Sequence, residues 1–205
     1  MRFIICIFFV IVTSHLNSAN IESDLLEFID LVPKNRIAIL FGRHFLFDTR
    51  FRTAVNYLRS SDFEILMQEQ ISKSPEVHNI IEYLGKEIDL NVIPLKIRRF
   101  INRLRPSSAQ EYGSVRGSLS FIQEITQLLP DYEIARLIRD KKSTDPEFGE
   151  LYEKIKDVKF RELVYSAKNS ESMAFAMDVL RSNQIEVDQI LEIAFDKINT
   201  WSQFY

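Results

Sequence analysis

The chain has 205 residues, 26 Lys and Arg against 29 Asp and Glu, a formal net charge of −3 at pH 7, and 46% hydrophobic residues. That balance gives no overall drive toward nucleic acid, and the hydrophobic share excludes wholesale disorder. Phe is over-used (16) while Gly (5) and Pro (6) are scarce, which argues against turn-dense β-sandwiches, collagen-like chains and low-complexity chains.

The first 19 residues read as a secretory signal peptide. Arg2 is a minimal positive region, Phe3–Val12 is a short apolar run, polar Thr13–Ser18 follow, and Ala19 suits cleavage. The apolar run is too short to cross about 30 Å of hydrocarbon comfortably as a helix. No later window reaches the roughly 18 apolar residues a membrane span needs. Cys6 is the only cysteine and leaves with this leader, so the mature chain is expected to have no disulfide, thiolate nucleophile or cysteine metal ligand. No Asn is followed two places on by Ser or Thr, so N-glycosylation is not expected.

Beyond the leader, apolar residues recur at three- and four-residue spacing, the period of amphipathic helices. Leu25, Phe28, Ile29 and Val32 form a first stripe, closed at Pro33. Ile37, Leu40, Phe41 and Phe45 form a second. Asp48 can cap a third helix that buries Phe51, Val55 and Leu58. Ser61 with Glu64 reads as a capping box for a fourth, holding Phe63, Leu66, Met67 and Ile71. Ser74-Pro75-Glu76 supplies a cap, an N1 proline and a first-turn acid for a fifth, with Val77, Ile80, Ile81 and Leu84 inside. A sixth runs from about Leu90 to Leu104.

The pattern then restarts. Pro33 and Pro130 stand 97 positions apart, and the same offset pairs Ile37 with Ile134, Leu40 with Leu137, Asp48 with Asp145, Phe51 with Phe148, Phe63 with Phe160 and Leu66 with Leu163. After a one-residue adjustment around the fifth helix it pairs Ile88 with Ile185 and Ile93 with Ile190. Caps and core positions match while surface positions differ, the mark of an internal duplication. The expected fold is all-α: two tandem copies of a roughly six-helix unit, residues 20–105 and 118–205, joined by a Ser-, Gly- and Pro-rich linker over 106–117.

A catalytic constellation is not evident. After the leader only His44 and His78 remain, neither at a metal-like spacing, and no H-E-x-x-H occurs. Gly113–Gly117 matches neither a P-loop nor a G-x-S-x-G elbow and reads as linker. The carboxylates fall mostly at first turns or on polar faces. No metal or cofactor is implied. The most polarised stretch is 96–105, where Lys96, Arg99 and Arg103 lie off the stripe of Ile97, Phe100, Ile101 and Leu104. Such a helix can contact a lipid headgroup or a membrane surface, although a packed helix with a solvated basic face is the plainer reading.

Asp48–Phe63 (DTRFRTAVNYLRSSDF) resembles the insect allergen-related repeat, whose pattern runs D-x-x-F, A-x-x-Y-L, then S-x-x-F or S-x-F. Ser74-Pro75-Glu76-Val77, Tyr83-Leu84 and Ile88-Asp89-Leu90 continue it. The second copy follows the template at Asp145-Pro146-Glu147-Phe148, Phe160-Arg161-Glu162-Leu163 and Ile185-Glu186-Val187-Asp188, entered through Arg116-Gly117-Ser118-Leu119. It departs from the template where Ser172-Met173 replaces Pro75-Glu76 and at Lys141-Lys142. The family includes the cockroach group 1 allergens, insect midgut microvillar proteins and the nitrile-specifier proteins of pierid butterflies.

The resemblance implies two repeats closing around a large apolar chamber that holds fatty acids or phospholipids, and secretion by insect gut epithelium. On that basis Leu40, Phe41, Phe45, Val55, Leu66, Ile80 and Ile81, with Leu137, Ile138, Tyr152, Leu163 and Met177, are the expected chamber wall. The functional expectation is a secreted, non-enzymatic lipid carrier. The alternatives are a nitrile-specifier-like protein acting on plant defence compounds and a structural protein of the microvilli. Nitrile-specifier proteins carry more repeats than the single pair here, which favours the carrier.

Overall fold

The computed structural model describes residues 27–28, 30–85, 90–103 and 117–204. The expected leader, Leu25 and Ile29 of the first stripe, Ile88, and residues 104–116, which include most of the expected linker, lie outside the described residues. The fold is all-α. In chain order the helices are α1 (Lys34–Phe47), α2 (Thr49–Arg59), α3 (Ser61–Leu66), α4 (Pro75–Leu84), α5 (Ile93–Arg103), α6 (Gly117–Gln127), α7 (Asp131–Thr144), α8 (Pro146–Lys156), α9 (Val158–Lys168), α10 (Glu171–Ser182) and α11 (Val187–Ser202). A π-helical turn, Met67–Ile71, extends α3, and a 3-10 turn, Leu90–Val92, precedes α5. Among the described residues no strand occurs, and no helix is long and apolar enough to cross a membrane.

Local chemistry sets the helix ends. Pro33 and Pro130 open α1 and α7 with nearly the same backbone, φ −71° ψ 81° and φ −78° ψ 81°. Both helices run 14 residues, and each ends on an extended aspartate. The Asp48 carboxylate accepts the Phe51 N–H at 3.0 Å, and that of Asp145 accepts the N–H groups of Glu147 and Phe148 at 2.9 and 3.1 Å. Each aspartate therefore stops one helix and caps the next, satisfying donors that a helix start leaves open. α2 and α8 both run 11 residues, so these two helix pairs keep the offset of 97 residue for residue.

Two expected caps differ. The hydroxyl of Ser60, not Ser61, receives the Phe63 N–H at 3.3 Å. The adjacent serines are chemically equivalent, and Ser60 is the one with extended backbone, at φ −77° and ψ 162°. Ser74 makes no side-chain cap bond, because its hydroxyl donates to Glu76 Oε2 at 2.7 Å. Gly85 closes α4 in the left-handed region at φ 68°; a Cβ there would meet Lys154 Nζ at 3.1 Å, so glycine suits both the conformation and the space.

The two halves interlock. α4 packs along α8 and α9, α6 packs against α1 and α2, and the π turn packs on α10. One apolar cluster runs from Phe28 to Trp201 through both halves, and a smaller one gathers Leu84, Leu151, Ile155, Phe160, Phe195 and Ile198. Polar ties cross between the halves as well. Tyr83 Oη donates to Asp157 at 2.9 Å, and Ser172 Oγ donates to Glu76 at 2.6 Å. Phe51, Leu58, Phe63, Leu66, Phe148 and Phe160 are buried as their stripes require, whereas Leu163 is only half-buried.

Candidate functional site

An apolar cavity of about 280 Å³ lies between the halves. The first half contributes Leu58 from α2, Phe63 from α3, Met67 and Ile71 from the π turn, and Val77, Ile80, Ile81 and Leu84 from α4. Leu90, Ile93 and Ile97 complete that side. The second half contributes Ile155 from α8, Phe160 and Val164 from α9, Leu180 from α10, Ile185 from the link that follows, and Val187, Ile190, Leu191, Ala194, Phe195 and Ile198 from α11. Every lining residue among the described residues is apolar. Six pairs on opposite walls stand 97 positions apart: Leu58 and Ile155, Phe63 and Phe160, Met67 and Val164, Leu90 and Val187, Ile93 and Ile190, and Ile97 and Ala194.

Of the wall residues expected from sequence, Ile80 and Ile81 border this cavity. Phe41 and Val55 border a separate apolar hollow of about 30 Å³ that shares Leu58, Ile185 and Ile190 with it. Leu66 is buried in the core one position before Met67, and Leu163 sits one position before Val164. Leu40, Phe45 and Leu137 pack on the edge of the main core, and Ile138 lies inside it. Tyr152 is buried, its hydroxyl 3.0 Å from Ser202 Oγ. Met177 borders a polar recess at the surface. Lys96 is half-buried and Arg99 exposed on α5, whose Ile93 and Ile97 face the cavity; the side chain of Arg103 lies outside the described residues.

The α11 stripe was left out of the expected wall although Ile93 and Ile190 had already been paired by the offset. Met67 and Val164 lie one position beyond Leu66 and Leu163; both border the hollow, although Met67 opens a π turn and Val164 sits within the regular helix α9.

A buried titratable cluster around His44 lies outside the described lining of the cavity. His44 is fully buried, with Nε2 3.1 Å from Glu124 Oε1 and Nδ1 3.8 Å from Asp48 Oδ2. Arg43 pairs with the same Glu124, and the rings of Phe51 and Phe121 flank the imidazole at 5.3 Å each. Burial pushes the His44 pKa below its ordinary value, opposed by Glu124 and Asp48 and assisted by Arg43. The unfolded chain therefore takes up a proton near pH 6.5, before the folded chain does. This stability contribution is fully present above that pH and is lost as pH falls toward the depressed folded value. The stability of the wild type should fall between pH 7.5 and 5, and His44→Gln should flatten that part of the profile, as urea unfolding at each pH would measure. Among the described residues no cluster of three or more His, Cys, Asp and Glu could hold a metal ion.

The aspartate caps of α2 and α8 carry the D-x-x-F pattern, Asp48 to Phe51 and Asp145 to Phe148. The chain belongs to the insect allergen-related repeat family. The family model described as insect allergen related repeat, nitrile-specifier detoxification matches residues 20–191. The chain is similar to Protein G12 of Anopheles gambiae, 22% identical over 184 residues that cover 86% of each protein.

Proposed function

We propose that this protein is a secreted, non-enzymatic carrier that shelters one acyl chain of a fatty acid or similar single-tailed lipid, built as two copies of one helical unit. The observation behind this reading is the wholly apolar lining of the 280 Å³ cavity. An apolar cavity of about 150 Å³ suffices for benzene, or about 25 Å³ per carbon, so this one has room for about eleven carbons without expansion. That suits a single tail and is too small for the two tails of a phospholipid, which narrows the ligand class expected from the resemblance.

Transfer of about ten methylenes from water contributes on the order of 8 kcal/mol before the costs of association. Without those costs the figure corresponds to a dissociation constant of about 1 µM, which is therefore the tight limit. The family description also mentions nitrile-specifier detoxification, but among the described residues the lining offers no nucleophile, acid or base, and its apolar character supports the carrier. The leader and the family point to release from insect gut epithelium.

Organic extraction of the protein purified from an insect-cell medium, followed by lipid mass spectrometry, tests the reading. Single-chain acyl lipids in stoichiometric amount are expected. A lipid-free, folded protein, or an extract holding two-tailed lipids alone, would contradict it.

A further inference from the structure

Next to the apolar cavity, a polar recess of about 60 Å³ opens between the end of α9 and the start of α11. Ile185 and Val187 line both hollows, so the recess adjoins the cavity at these two residues. The link carrying Ile185 is fixed by a left-handed Gln184, φ 63°, whose carbonyl accepts the buried Ser118 hydroxyl at 2.6 Å. Charged groups on the recess are Lys168, Arg181, Glu186 and Asp188. Arg181 is 61% exposed and turned to Asp178 at 2.7 Å. Lys168 is different: its side chain is 15% exposed, against 50% for its ion-pair partner Asp188.

We propose that this recess is the headgroup site of the acyl cavity and takes a carboxylate, with the Lys168 ammonium as its counter-ion. The inference rests on the acyl reading of the cavity. By the same measure of about 25 Å³ per heavy atom, the recess holds two or three heavy atoms, the size of a carboxylate and far less than a phospholipid headgroup. An acid whose tail lies behind Ile185 and Val187 presents its charge to the inner side of the ion pair, where Lys168 is the less hydrated partner. Charge-assisted hydrogen bonds to an ammonium are the strong ones available there. The positive end of α11 enters the same recess. Asp188 and Glu186 oppose an incoming anion, so Asp188 competes with the ligand for Lys168.

The test compares dodecanoate, dodecanol and dodecylamine by displacement of a fluorescent acyl probe from delipidated full-length protein. Dodecanoate should bind about tenfold more tightly than dodecanol, and dodecylamine most weakly. Lys168→Gln should remove the preference for dodecanoate while leaving dodecanol unchanged, and Lys168→Arg should retain it. Asp188→Asn should move the other way and tighten dodecanoate binding, which loss of a merely structural ion pair would not do. Equal binding of acid and alcohol by the wild type, an equal loss for both ligands in Lys168→Gln, or a preference for dodecylamine would overturn the headgroup site while leaving the acyl cavity standing. Failure of all three probes to bind would instead remove the acyl reading itself.

Discussion

Phe51→Ala should lower the free energy of unfolding by about 3–5 kcal/mol, measured by urea denaturation followed by far-UV circular dichroism. Phe51 is buried, and its ring lies 5.5 Å from Phe41, 5.3 Å from His44 and 4.5 Å from Phe121. These neighbours come from α1 and α6, so one side chain joins the first half to the first described helix of the second. Truncation would forfeit both the transfer of the ring from water and the aromatic contacts, in a cluster beside a hollow of only about 30 Å³. Phe63→Ala should cost less, because Phe63 already faces open space on one side and has fewer contacts to lose. A cost below about 1 kcal/mol for Phe51→Ala would mean that the aromatic cluster does not hold the halves together.

The largest effect on binding should come from Met67→Lys. Met67 is buried on the cavity wall, and lysine has much the same length, so the substituted stem keeps the helix while its ammonium enters an entirely apolar lining. Binding of an acyl probe should weaken by at least about 100-fold. Met67→Leu, which conserves volume and apolarity, should weaken it by less than about tenfold. Helicity of both variants, read by circular dichroism, separates loss of the site from loss of the fold. If Met67→Lys does not fold, Val164→Lys on the opposite wall carries the same expectation, as its half-buried position tolerates the substitution better. Unchanged binding in folded Met67→Lys would place the ligand elsewhere.

Helix order and most helix ends were legible in the sequence because they depend on local chemistry. The Pro33 and Pro130 starts, the Asp48 and Asp145 caps and the offset of 97 need only residue identity and spacing. Which face of each stripe packs and which faces a hollow was not legible, since both bury the same apolar residues. Phe45 and Phe63 look no different in sequence, yet Phe45 packs on the edge of the main core away from the 280 Å³ cavity, while Phe63 borders it. Leu66 and its equivalent Leu163 were expected on a wall that the following residues, Met67 and Val164, occupy, because adjacent apolar residues of one broad stripe look alike in sequence. The recess at Lys168 was invisible for a further reason. It exists because α9 and α11 meet Ile185 in space, and nothing in a run of charges marks that meeting.

Calorimetric titration of delipidated protein with saturated fatty acids of increasing length tests the central claim most directly. The account predicts one site per chain, with dissociation constants of about 1–100 µM at best and affinity that rises with tail length to about ten to twelve carbons and then levels off or falls, because the cavity offers about 280 Å³. A folded protein that takes up no acid of any length at several hundred micromolar, or one whose affinity climbs without limit through the longest tails, would contradict it.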